Sequence, residues 1–424
     1  MSLRREIAAL AVPAIITNIT TPLLSLADMA VTGHIGGADY IGAVALGGTL
    51  FNTLYWLFNF LRMGTTGLTA QVCHRPEAAS RVLWQSLLLA GALGVLLIAL
   101  SEPICRTALA FMDADDGAAA LADRYFRIVI WGAPAMLGTY ATLGWLIGMQ
   151  NTRATMAVAL TANIFNIALS CFLVFGLSWT IEGVATGTLA AQWTGFLCAL
   201  LIIGFKYRPE APKSFKSLVG SGLWRFVRVN SDIFLRTACL VAVTLWFTHS
   251  GATSGVDVLA ANALLLQLFM LFSFFMDGFA YAAEALAGKY HGIADTASLS
   301  RLVRLLERIG AVCAAVCALV FLFGAELLMK LLTDDANVIS VAREYVPWVV
   351  AMPLCGFTAF IYDGILVGLT RTRLMLLAMA CAMALFFGLY MALPRSNHFL
   401  WLAFDAYLLT RGVVEAIGAR NLKS

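Results

Sequence analysis

The stretch GWLIGMQNTR, residues 144–153, returns in the second half of the chain as GILVGLTRTR, residues 364–373. Five of the ten positions are identical, among them both glycines and the closing Thr-Arg pair. A second pairing, residues 44–64 over 258–278, matches seven of 21 positions without a gap. Both offsets are about half of the 424 residues, so the sequence predicts two similar halves.

The composition around this repeat is that of a membrane protein. Hydrophobic residues make up 61% of the chain and charged residues only 12%, whereas soluble domains carry about 25% charged residues. A spanning helix needs about 20 mostly apolar residues, and the chain contains twelve such stretches. They are predicted near 7–33, 43–71, 80–101, 123–148, 153–176, 183–206, 229–249, 257–288, 304–324, 342–369, 374–393 and 398–417.

Basic residues concentrate in every second connection between these stretches. Arg75 and Arg81 follow the second stretch, and Lys206 and Arg208 follow the sixth. Because Lys and Arg in short loops stay on the cytoplasmic side, both termini are predicted to be cytoplasmic, which agrees with an even number of spans. This distribution accounts for the net charge of +4 without a nucleic-acid partner.

The predicted fold class is an all-α polytopic membrane protein with twelve transmembrane helices in two six-helix lobes. Six spans are an even number, so the two lobes share one orientation and are expected to be related by a pseudo-two-fold axis along the membrane normal. We expect an N-lobe at 1–206, a basic cytoplasmic linker at 207–228 and a C-lobe at 229–424.

Polar side chains inside the first-lobe spans are candidates for a binding site, because such groups are costly in a membrane. In the first span, Asn18 and Asp28 share one helical face, and Pro22 between them is expected to act as a hinge. The other candidates are Asn163, Asn166 and Ser170 on one face of the fifth span, with Asn52 and Asn59 in the second.

Asp28 is the candidate for reversible protonation. A carboxyl group in a low-dielectric site favours its neutral form, so a proton and an organic cation could compete for it. The alternative interpretation is a carboxyl group that only hydrogen-bonds neighbouring helices, and the buried amides are open to the same alternative.

The second lobe carries more charge inside its spans. The candidates are Asp232 and Arg236 in span seven, Asp277 and Glu284 in span eight and Asp363 in span ten. One interpretation is a charge-paired network in which Arg236 binds Asp277 or Asp363. The other is a Na⁺ site formed by Asp277, Glu284 and Asp363, whose oxygens suit a hard cation. The charged residues of the last span, Asp405, Arg411 and Glu415, are expected to be peripheral and structural.

Several other chemistries lack the residues they need. The chain has no GxxxxGK[ST] motif, so ATP hydrolysis by this chain is not expected. Its five His fall at helix ends or in loops, and no metal cluster is predicted. Without a nucleophile–base set, neither an enzymatic activity nor a bound cofactor is expected.

Three segments together resemble the multidrug and toxic compound extrusion (MATE) family, in its DinF-like branch. They are VPAIITNITTPLLSLADMAVTGHIG at 12–36, NIFNIALSCFLVFGL at 163–177 and FIYDGILVGLTRTR at 360–373. The resemblance covers almost the whole chain. It implies a multi-pass transporter of the bacterial cytoplasmic (inner) membrane, acting as a monomer among membrane lipids. Such a protein exports cationic or amphipathic small molecules by alternating access, in exchange for H⁺ or, as the second choice, Na⁺.

On this resemblance the first-helix acid of the family falls on Asp28, its fifth-helix Asn on Asn166 and its tenth-helix acid on Asp363. The chain departs from the family where many relatives have N-x-x-x-D-P, because Ser170 and Cys171 replace the Asp and the Pro. Asp28 would therefore act alone in the first lobe, or the second lobe would share the coupling.

A flippase for lipids or lipid-linked precursors is the alternative function within the same superfamily. It would favour a larger basic cavity for phosphate groups, and only Arg62 and Arg236 are candidates for such contacts.

Overall fold

The computed structural model describes residues 2–33, 38–112, 116–212, 218 and 222–420, and every regular element there is helical. Side chains are described for the same residues except 21–30, 32–33, 38–39, 41, 111–112, 116, 223 and 420. The helices are α1 (Leu3–Gly33), α2 (Ala38–Leu57), α3 (Phe60–Val72), α4 (Pro76–Ala99), α5 (Ser101–Met112), α6 (Asp116–Val129), α7 (Ala133–Gly148), α8 (Thr152–Cys171), α9 (Ile181–Tyr207), α10 (Leu223–Thr253), α11 (Val256–Gly292), α12 (Thr296–Leu332), α13 (Ala336–Gly368), α14 (Thr372–Ala392) and α15 (Asn397–Arg420). A 3₁₀ turn, Ile130–Gly132, joins α6 to α7, and a π-helical turn, Phe172–Gly176, follows α8.

Nine helical stretches within the described residues are long and apolar enough to cross a membrane. Three further stretches of similar length are α1, the α6–α7 segment and α15, which together with the nine make the twelve that the sequence predicts. The last of these, α15, is less apolar because it carries several charged side chains along its length.

The predicted span 43–71 is not one continuous helix. It breaks at Phe58 and Asn59 between α2 and α3, where the backbone amides bond carbonyls three residues back. Asn59 also uses its side chain at this break, because its Oδ1 accepts a hydrogen bond of 3.1 Å from Nε of Arg62. A local polar contact therefore offsets part of the cost of the interrupted helix.

The contacts of the chain divide it into two compact units. The N-unit is Ile16–Val227, and the C-unit combines Met1–Ile15 with Arg228–Ser424. The start of α1 thus belongs to the C-unit, where the hydroxyl of Tyr290 donates to Oε2 of Glu6 over 3.2 Å. The boundaries predicted from sequence placed this segment in the N-lobe, at 1–206.

Each unit is built around one helix of the sequence repeat. In the N-unit α7 packs against α3, α4 and α9, and in the C-unit α13 packs against α11, α12 and α15. A Cβ at Gly144 of α7 would lie 2.3 Å from the carbonyl oxygen of Arg62, and one at Gly364 of α13 would lie 2.5 Å from that of Ala280. The repeated glycines therefore let two helix backbones touch at equivalent places.

The same repeat also encodes a helix-terminating turn. Gln150 and Thr370 adopt left-handed backbone conformations, with φ of 60° and 53°. The following amide in each copy bonds back across the turn, as in a Schellman cap. These bonds run from Asn151 N to Leu146 O, 2.9 Å, and from Arg371 N to Leu366 O, 2.8 Å.

Candidate functional site

Asn166 and Ser170 lie on the buried face of α8, which packs against α9 in the N-unit. Asn166 is 2% exposed, and its Nδ2 donates to Oγ1 of Thr188 on α9 over 3.3 Å. Oδ1 of Asn166 and Oγ of Ser170 are buried without a hydrogen-bond partner among the described residues. The helices approach closely because a Cβ at Gly187 would lie 2.1 Å from Ser170 Oγ. This contact therefore buries two polar oxygens whose hydrogen-bonding capacity is unused among the described residues.

The other first-lobe candidates are less closely grouped. Asp28 and Pro22 lie in α1, but their side chains fall outside the described residues, so their predicted roles stay predictions. Asn18 and Asn163 are half-buried, and Asn18 takes part in a polar interaction. Asn52 is exposed within its unit.

A second polar group of the N-unit was not singled out from sequence. Tyr55 on α2 is 5% exposed, and its hydroxyl lies near Gln192 and near the phenols of Tyr125 and Tyr140. Gln192 Oε1 is buried without a hydrogen-bond partner in the described part of the chain. Gln192 follows Thr188 by one turn of α9, so both face the same side of that helix. The amide of Gln192 inside an apolar helix was the signal that could have revealed this group.

In the C-unit, Asp363 joins three helices. Its Oδ2 accepts hydrogen bonds from Arg236 on α10 and from Arg411 on α15, the latter over 2.7 Å. All three side chains are at most 9% exposed. The structure thus pairs Arg236 with Asp363, one of the two partners expected from sequence. A carboxylate that already binds two guanidinium groups offers little attraction to a metal cation.

The charged residues of α15 are not peripheral, contrary to the sequence-based expectation. Arg411 is 3% exposed, Asp405 4% and Glu415 0%. They are buried because α15, although last in the chain, packs against both α13 and α14. The spacing of Tyr407, Arg411 and Glu415, four residues apart on one helical face, was the available signal. The guanidinium of Arg411 also lies 5.8 Å from the ring centre of Phe360.

The remaining second-lobe candidates are Asp232, Asp277 and Glu284. Oδ2 of Asp232 accepts a hydrogen bond of 2.7 Å from Oγ1 of Thr372, at the start of α14. Glu284 is 2% exposed and Asp277 half-buried, and both take part in polar interactions. Within the described residues no three His, Cys, Asp or Glu side chains group as metal ligands. The Na⁺ site at Asp277, Glu284 and Asp363 therefore stays a prediction.

A bundle of twelve membrane-crossing helices in two similar halves, with polar and charged groups inside each unit, is the architecture of a membrane transporter. The MatE family model matches residues 13–172 and 233–390, which covers both halves of the repeat. The chain belongs to the MatE family, and the resemblance inferred from its motifs is confirmed.

Similar proteins agree with this assignment. The chain is 37% identical to DNA damage-inducible protein F of Escherichia coli over 421 residues, which are 98% of this chain and 92% of that protein. It is 26% identical to a probable multidrug resistance protein NorM of Photorhabdus laumondii, over 85% of this chain and 81% of that protein. A crystal structure of MATE in the bent conformation matches with a TM-score of 0.86 at 19% identity, covering 99% of this chain and 95% of that one. The twelve-helix, two-lobed fold class is thereby confirmed.

Proposed function

We propose that this transporter exports organic cations or amphipathic compounds in exchange for protons, by alternating access. It would act as a monomer in the bacterial cytoplasmic membrane, with both termini inside and no bound cofactor. Membership of the MatE family and similarity to a protein named for multidrug resistance support the substrate class.

The observation that carries the proposal is the pair of unpartnered acceptors between α8 and α9. Asn166 Oδ1 and Ser170 Oγ are buried, and among the described residues neither has a hydrogen-bond partner. Leaving buried polar atoms unpaired costs about 1–3 kcal/mol each, a cost that a bound cation, hydronium or water would relieve. Asp28 on α1 would supply the negative charge that an amide and a hydroxyl lack.

The replacement of the family's second acid by Ser170 simplifies this exchange. Because Gly187 packs directly against Ser170 Oγ, a larger carboxylate at this position would have to displace α9. The N-unit would therefore couple through Asp28 alone, which holds either a proton or the cation. Protonation would remove its charge, weaken cation binding and rearrange α1 about Pro22.

The flippase alternative receives less support. Of its two candidate phosphate ligands, Arg236 is bound to Asp363 and Arg62 donates to Asn59. Each guanidinium therefore already has a partner within the protein and does not need a lipid phosphate.

The test is efflux of a dye cation from proteoliposomes, with pH and Na⁺ gradients imposed separately. We expect a pH gradient to drive efflux, and Asp28→Asn to abolish it. The matched control is Asp257→Asn, which alters an exposed acid at the start of α11 and should leave efflux unchanged. Efflux by Asp28→Asn at the parent rate would refute the first-lobe mechanism, and efflux driven by Na⁺ alone would refute proton exchange.

A further inference from the structure

The buried acid of α15, Glu415, has no part in the proposed exchange at Asp28. It lies one turn beyond Arg411 on the same helical face and is 0% exposed. Its neighbour Asp363, on α13, is 6% exposed. A carboxyl group this deep in a membrane bundle requires either a counter-charge or a proton.

The hydrogen bonds of the cluster leave one place for a proton. Oδ2 of Asp363 accepts from both guanidinium groups, whereas Oδ1 has no partner among the described residues. Both oxygens of Glu415 also lack a partner within the described part, and its carboxyl group lies within hydrogen-bonding reach of Asp363. Neither guanidinium donates to Glu415, so an ionised Glu415 would repel Asp363 without a bonded counter-charge of its own, which favours its protonated form. Asp363 faces two guanidinium groups and stays ionised, which assigns the proton to Glu415.

The charge of the cluster makes this proton removable. The groups that face Glu415 are Arg236 from α10, Asp363 from α13 and Arg411 from α15, and the phenol of Tyr407 lies beside Arg411. With Glu415 protonated, the two arginines and one carboxylate leave one excess positive charge. Loss of the proton to water makes the cluster neutral. Ionisation of Glu415 therefore removes the net positive charge of the cluster.

We propose that Glu415 is a proton-binding site of the C-unit, and that its protonation decides which carboxylate Arg411 binds. With Glu415 protonated, its O–H would donate to Asp363, and Arg411 would keep the bond to Asp363 that joins α15 to α13 in the structure. When Glu415 ionises, Arg411 gains a carboxylate four residues away on its own helix. Arg236 then keeps Asp363, and the bond between α13 and α15 weakens. The role of this switch in transport rests on the proposed proton exchange, whereas its proton chemistry does not.

The direct test is Glu415→Gln in the full chain, followed by infrared spectroscopy and thermal unfolding. The amide N–H of Gln replaces the O–H donor without a change of charge, so we expect the unfolding temperature of the parent. We also expect loss of one carbonyl band of a protonated carboxylic acid at neutral pH. Glu344→Gln, at an exposed position of α13, is the matched control and should lose no such band.

An ionised Glu415 would behave differently. Glu415→Gln would then lose no acid band and would remove a buried negative charge, so that the protein would unfold at a lower temperature or fail to fold. Any of these results would overturn the proposal.

The coupling role is tested by dye efflux across a series of pH values. Glu415→Gln should shift the pH profile of efflux relative to the parent, because its α13–α15 bond can no longer be released, while the pH dependence that comes from Asp28 remains. An unchanged pH profile would overturn the coupling role. In Asp28→Asn, the acid band that depends on Glu415 should persist although efflux stops. Failure of the proposed function and failure of this inference are therefore told apart.

Discussion

Asp363→Asn keeps the shape of the side chain but removes the negative charge between Arg236 and Arg411. The two arginine side chains are 9% and 4% exposed, so neither guanidinium can reach water unless its helix moves. Removing one partner of a buried ion pair costs about 3–5 kcal/mol, because the other charge is left uncompensated. Two charges lose their partner here, so we expect a loss of about 4–5 kcal/mol in the free energy of unfolding. Ionisation of Glu415 in response would reduce that loss.

The assay is reversible unfolding in mixed micelles, followed by tryptophan fluorescence and circular dichroism. The chain provides a matched control on its surface, because Glu326 also binds two cations, Lys330 over 2.9 Å and Arg343 over 3.1 Å. These side chains are 47%, 60% and 61% exposed. Solvent screens such pairs, so Glu326→Gln is expected to lose only a small fraction of what Asp363→Asn loses.

Equal losses for Asp363→Asn and Glu326→Gln would refute the argument that burial sets the strength of the Asp363 cluster. The double variant Asp363→Asn with Glu415→Gln provides a second check. Its loss in the free energy of unfolding should exceed the sum of the losses of the two single variants, because Glu415 can no longer supply a replacement charge. Strict additivity would mean that the two carboxyl groups do not interact.

Two further predictions concern helix packing and helix capping. Gly364→Ala places a Cβ 2.5 Å from the carbonyl oxygen of Ala280 and should cost about 1–3 kcal/mol in the same unfolding assay. The control Gly388→Ala, whose Cβ would have nothing within 4 Å, should cost nothing. Equal losses for the two variants would contradict the close helix crossing at Gly364. Asp295 caps α12, and hydrogen bonds from the hydroxyl and backbone amide of Ser298 hold the pKa of its carboxyl below the usual value. The stabilising contribution of the Asp295 carboxylate is full above its unfolded-state pKa and is lost as the pH falls through its folded-state pKa. Asp295→Asn should therefore flatten the acid side of the curve of unfolding free energy against pH. Coincident curves for the parent and the variant would contradict this.

The membrane fold was predictable because its signals are local in the chain. Apolar length indicates a span, and basic residues at alternate connections predict its cytoplasmic end, as at Arg153 and Arg373 in the two copies of the repeat. Helix ends were less predictable where a helix continues beyond the membrane. The predicted span 304–324 lies inside α12, Thr296–Leu332, because hydropathy detects the part that faces lipid and not the charged turns that extend it. The break at Asn59 depends on a side-chain contact that composition does not reveal.

The candidate site was predictable only where its residues share one helix. Asn166 and Ser170 are four residues apart, so their common face follows from helical periodicity. Their partners on α9, Thr188 and Gly187, come from a different helix and depend on how α8 and α9 pack. The same limit applies to Glu415. Its burial depends on which face of α15 packs against α13, and the sequence of α15 alone does not reveal that face.

The two halves of the repeat share backbone features, but the polar groups buried inside them differ. Equivalent glycines, Gly144 and Gly364, bring helix backbones into contact, and equivalent turns end the same two helices. Changes could therefore accumulate in side chains without disturbing the frame. In the N-unit the buried acceptors between α8 and α9 are an amide and a hydroxyl, which carry no charge. In the C-unit, two buried arginines bind Asp363, so a change of charge there would alter the bonding between helices. A proton that acts on Glu415 would accordingly change helix packing, whereas one that acts on Asp28 would change ligand affinity.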